Sequence, residues 1–163
     1  MKKVFLFLAC VLLLGISCTE QSTELIDEQI ATIISEVEEQ YTEGISNLST
    51  LDMQVWSQPW SKENFISVFS GVNYYSTLNE FIDSVTYYFS LRESQDVQIV
   101  DMNTTVLSSD LALLTSITNW DILYKSEEHI IYDGVLATLL WKKEESVWKI
   151  ICLHESWQEN NEE

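Results

Sequence analysis

The two histidines are the first candidates for proton transfer, because an imidazole titrates near neutrality. His154 sits in the apolar and aromatic run Val147 to Trp157. It could act as a general acid or base if it faces a cavity and meets a partner. It could equally be a partly buried histidine hydrogen-bonded within a sheet. Asp121, or a tyrosine, could complete an acid–base pair if its strand face points the same way. His129 follows Glu127 and Glu128 at the start of another apolar run and reads as exposed. Tyr74, Tyr75, Trp120, Tyr132 and His154 are the candidate walls of a ligand pocket, since their rings offer flat apolar area with a polar tip. Trp120 and Trp148 could instead fill a core, and Tyr74–Tyr75 could form a pocket lip or pack under the helix that follows. The partner these residues suit is a small apolar or aromatic molecule.

Cysteine usage adds no further chemistry. The chain has Cys10, Cys18 and Cys152, with no spacing suited to a metal, and nothing asks for a cofactor. Cys152 lies in an apolar stretch and reads as a small hydrophobe. The other two belong to the N-terminus. Lys2 and Lys3 precede the apolar run Val4 to Leu14, then Gly15, Ile16 and Ser17 lead to Cys18. That is the layout of a secretory signal, too short for a bilayer span of about 20 apolar residues. Leu14 to Cys18 resembles a bacterial lipobox, which implies a diacylglycerol on the Cys18 thiol and a mature chain that begins there. Several acyl chains anchor a protein stably where one would not. The expected organisation is a signal peptide over 1–17, a lipidated tether over 18–24, one domain over 25–158 and an acidic tail over 159–163. The expected location is the bacterial cell envelope, lipid-anchored at the periplasmic or outer-membrane surface.

The net charge of −18 repels phosphate backbones, so nucleic acid is excluded as a partner. The acidic runs at Glu20 to Glu43, Glu127–Glu128 and Glu144–Glu145 read as solvated faces. Six Trp, seven Tyr and six Phe against a single proline, Pro59, point to one packed domain.

Several elements must position these residues. Ile26, Ile30, Ile33, Ile34, Val37 and Tyr41 form one apolar stripe, predicting an amphipathic helix that ends near Gly44. Leu48 to Val55 could make a short second helix, interrupted before Pro59, and residues 64–69 read as a short strand. Thr77 with Glu80 fits a capping box for a helix ending near Leu91. Val97 to Leu107, Leu111 to Leu123, His129 to Lys142 and Val147 to Trp157 then read as a four-strand antiparallel meander. Helices first and strands last predict an α+β domain. Both faces of the later strands carry apolar residues, so a second subunit is expected on the outer sheet face, as a homodimer.

This pattern resembles the nuclear transport factor 2-like superfamily, in particular its SnoaL-like members, over Ile26 to Trp157. The resemblance rests on the amphipathic first helix, the capped helix at Thr77 and the long strands. Its most specific part is Trp141-Lys142-Lys143, then Trp148-Lys149-Ile150, then His154-Glu155-Ser156, with Asp110-Leu111-Ala112, Gly134 and Thr138 in place. Cys152 stands where many relatives carry a second histidine, and Glu144-Glu145-Ser146 replaces the usual glycine turn. The resemblance implies a cone-like curved antiparallel sheet wrapped around two to three N-terminal helices, with a pocket at its open end. It also implies either a non-catalytic ligand-binding or interaction module, or a small dehydratase or isomerase using His154. The first agrees better with the missing histidine pair.

Overall fold

The computed structural model of the protein describes residues 25–157. The expected signal peptide and tether, with Cys18, and the acidic tail lie outside those residues. Helix α1 (Asp27–Leu48) buries Ile33, Val37, Tyr41 and Leu48 along one stripe. It runs through Gly44, where the sequence predicts an end. A glycine inside a helix costs about 1 kcal/mol against alanine. Burying Leu48 one turn later, and partly burying the adjacent Ile45, recovers more than that, at roughly 1.5–3 kcal/mol for a full aliphatic side chain. Helix α2 (Met53–Trp56) is a single turn capped by Asp52. Helix α3 (Leu78–Leu91) begins at the predicted capping box: the Glu80 amide donates to Thr77 Oγ1, and the Thr77 amide donates to Glu80 Oε2.

The strands are β1 (Ser67–Ser70), β2 (Asn73–Tyr75), β3 (Arg92–Ser108), β4 (Leu111–Tyr124), β5 (His129–Glu144) and β6 (Val147–Ser156). They form one sheet in the order β2-β1-β6-β5-β4-β3. The meander β3 to β6 is antiparallel as predicted. The early strand departs from the all-antiparallel expectation: β1 lies parallel to β6, with Phe69 opposite His154. The helices cover the inner face, giving the α+β curved, unclosed sheet that the sequence predicts.

Five irregularities interrupt the ladder, two of them at the ends of β3 and three within the sheet. Val100 is an extra residue in β3, Asp133–Gly134 oppose the single Asn119 of β4, and Ile151 is an extra residue in β6. Such bulges locally disrupt the ladder and increase twist. Gly134 carries the backbone cost of its bend, at φ 73°, and its amide donates to Asn119 Oδ1 at 2.9 Å. The inner face holds two adjoining apolar clusters. One gathers Val37, Trp60, Phe81, Leu139 and Trp141, the other Leu48, Phe89, Trp120, Ile122 and Val135.

Among the described residues no helix is long and apolar enough to cross a membrane. The outer sheet face is unlike an ordinary wetted face: Phe69, Tyr74, Ile131 and Leu136 stand exposed on it, Leu136 at 47%. Leu113, Ile117 and Leu140 lie half-buried along the same side.

Candidate functional site

Between the two inner clusters lies a cavity of about 740 Å³, within the roughly 300–1,000 Å³ usual for small-ligand sites. Its walls are aromatic. On the helix side, Trp56 meets Phe81 edge-on at 5.3 Å, and Trp60 meets Phe81 at 4.9 Å. On the sheet side, Trp157 packs on Trp120 at 4.9 Å and on Tyr132 at 5.2 Å. The Trp120 indole is satisfied internally, donating to Thr118 Oγ1 at 2.9 Å, so its ring presents apolar surface.

The polar groups lining this cavity include Glu155, Tyr41 and Arg92. Glu155 extends from β6, and its Oε2 accepts from Ser70 Oγ at 2.8 Å. Trp157 Nε1 donates to the same hydroxyl at 3.1 Å, which orders the group. Burial pushes the Glu155 carboxyl above the usual carboxylate range, against the Ser70 and Trp157 hydrogen bonds and the Arg92 charge. Tyr41 comes from α1 and shares a 2.6 Å hydrogen bond with Ser116. Its phenol is pushed up to about 12, chiefly by burial, with the Glu155 charge acting the same way. Arg92 stands at the junction of α3 and β3, the sole arginine of the sequence. Its Nη1 donates to Gln95 Oε1, and the buried Gln95 donates in turn to the Leu48 carbonyl at 2.5 Å. Burial lowers the Arg92 pKa from its ordinary value, opposed by Tyr124, Tyr132 and Tyr88. The guanidinium stays charged all the same.

The structure separates the residues singled out from sequence. Tyr75, Trp120 and Tyr132 line the cavity, and the Tyr75 hydroxyl bonds Ser84 at 2.7 Å. Tyr74 takes the opposite side of the sheet and stacks on Phe69 at 4.7 Å. His154 joins it there, edge-on to Phe69 at 6.1 Å, exposed and outside the cavity. Regular alternation along the last strand groups His154 with Trp148 and Ile150. The extra residue at Ile151 breaks that alternation, so Leu153, Glu155 and Trp157 turn inward instead. Asp121 also points outward and pairs with His129 at 2.7 Å, both more than half exposed. His154 and Asp121 therefore never meet. Trp148 is claimed elsewhere: its indole donates to Glu36 Oε2 at 2.7 Å, beside Lys143 at the same distance.

Sequence reasoning did not reach Arg92 and Glu155. Two signals pointed to them: a lone arginine in a strongly acidic chain, and a glutamate spaced with Leu153 and Trp157 on one strand face. Among the described residues no group of three or more ligating side chains could hold a metal.

Residues 37–158 match the SnoaL-like domain model. No curated protein matches the chain significantly. Among solved structures, the chain is similar to a nuclear transport factor 2-like superfamily protein from Salmonella enterica serovar Typhimurium, with TM-score 0.72 and 10% identity over 80% of this chain and 94% of that one. A proposed dehydratase of the same superfamily from Streptomyces avermitilis gives TM-score 0.69 and 19% identity over 79% and 98%. The association domain of calmodulin-dependent kinase II from C. elegans gives TM-score 0.63 and 13% identity over 80% and 99%. At such identities the likeness is one of fold. The family match spans most of the sequence, and the chain belongs to the SnoaL-like domain family, with a fold like that of the nuclear transport factor 2-like structure.

Proposed function

We propose that the domain binds a small, largely apolar molecule inside the cone and holds it without transforming it. The observation that carries this reading is the aromatic-walled cavity of about 740 Å³, with both histidines pointing away from it. The size suits a compact ring or short chain, and Glu155, Tyr41 and Arg92 offer the few polar contacts that would orient it. Two further parts belong to the proposal. Lipidation at Cys18 would hold the domain at a bacterial envelope surface, supported by the lipobox-like sequence. A second copy would cover the outer face, supported by the exposed Phe69, Tyr74 and Leu136.

One observation favours a second reading. A carboxyl raised by burial, inside a cavity, is the usual setting of a general acid. An isomerase or dehydratase of this type would use Glu155, with Tyr41 as the nearby hydroxyl, in place of His154.

A thermal-shift screen of apolar ring compounds tests the binding reading, because a ligand that binds the folded state raises its melting temperature by mass action. We expect hits, recovered unchanged after incubation, with the same shift in wild type and His154→Ala. A screen without hits sinks the binding reading. Chemical conversion of a hit, abolished by Glu155→Gln, moves the assignment to the enzyme.

A further inference from the structure

The aromatic cavity contains one fixed positive charge without an ion-pair partner. Arg92 lines the cavity, and no carboxylate of the described residues lies within ion-pair distance of it. Its Nη1 is taken by Gln95, which is itself held by the Leu48 carbonyl, so the guanidinium is braced from behind. Its Nε is buried and meets no acceptor among the described residues. Around it stand the Tyr88 ring, 6.0 Å from the guanidinium carbon, Tyr124, whose side chain also hydrogen-bonds the guanidinium, and Tyr132. A desolvated cation costs free energy unless it is paired, and an unpaired N–H beside it adds to that cost.

We propose that the cavity is built for a small apolar acid: a monoanion whose carboxylate meets Arg92 while its apolar body lies against Trp120, Trp157 and Phe81. This deepens the binding reading above and rests on it. The guanidinium edge offers parallel donors that match the two oxygens of a carboxylate. A single positive charge in a chain of net charge −18 favours one negative charge over two. Glu155 fits the same scheme. Its carboxyl lies in the same cavity but outside ion-pair distance of Arg92, so the guanidinium is left open to a ligand oxygen; burial raises the Glu155 pKa while the Arg92 charge lowers it.

Calorimetric titration of the full chain with matched probes tests this. The probes are 4-phenylbutyrate and its neutral isostere 4-phenylbutanamide. A charge-assisted hydrogen bond predicts that the acid binds at least about tenfold more tightly than the amide. Arg92→Gln should lower affinity for the acid by that factor and leave the amide unchanged, and Arg92→Lys should keep part of the preference. Equal binding of acid and amide by the wild type overturns the anion subsite while leaving the cavity reading intact. So does an acid preference that survives in Arg92→Gln. If neither probe nor any compound of the thermal screen binds, the cavity reading falls and takes this proposal with it. The wild-type comparison of the two probes needs no variant, so a misfolded Arg92→Gln protein leaves a decisive measurement in place.

Discussion

At the scale of single residues, Glu155 is the most informative group in the protein. Its pKa is higher in the folded chain than in the unfolded one. The folded state therefore holds a proton that the unfolded state releases once pH passes the ordinary value near 4.5. Stability from this group is present below that value and is lost as pH rises toward the folded pKa. Glu155→Gln should flatten that part of the profile and raise stability at neutral pH, measured by chemical denaturation from pH 4.5 to 8. A profile with the opposite slope would mean that Glu155 is held ionised. The aromatic part of the cavity was legible in the sequence: Tyr75, Trp120 and Tyr132 all reach it. The charged part was not. His154 drew attention by its chemistry, yet its neighbour Glu155 holds the inward position, and a one-residue offset along a strand exchanges faces.

At the scale of elements, glycines separate what helices and strands tolerate. A Cβ at Gly44 would meet nothing within 4 Å, so Gly44→Ala should stabilise α1 by about 0.5–1 kcal/mol. Gly134 also has open space, but its φ of 73° is strained for any residue with a Cβ. Gly134→Ala should cost about 1–2 kcal/mol, the usual penalty of left-handed backbone. Denaturant midpoints for the two variants should move in opposite directions. Local signals made much of the architecture readable. The Thr77–Glu80 capping box, the stripe of α1 and the polar breaks before Leu111, His129 and Val147 each depend on residues close in sequence. The bulges at Val100 and Ile151 carry no such mark, since an extra residue of ordinary type can enter a strand without a turn signal. The pairing of β1 with β6 was invisible for another reason. It joins segments far apart in the chain, and no periodicity reports that.

At the scale of the whole molecule, the proposed second copy makes a direct prediction. Leu136 is exposed in the middle of the outer face, opposite Ile117 of β4. Leu136→Glu should convert a dimer to a monomer in sedimentation without unfolding it, since the residue belongs to neither inner cluster. Added salt should tighten the wild-type dimer by screening two acidic bodies from each other. A wild-type protein that sediments as a monomer at every concentration removes the outer-face proposal. The position of β6 in the sheet has its own result for assembly. The hairpin of β1 and β2 is made early, yet its neighbour in the sheet is the final strand. Because a chain emerges amino end first, that hairpin must wait with a bare edge until β3, β4, β5 and β6 have been synthesised. The carboxyl and the indole that complete the interior arrive on the same late segment. A product truncated just before Trp148 would thus lose its last strand, strand its earliest hairpin and leave its hollow unfinished, three failures from one missing ribbon.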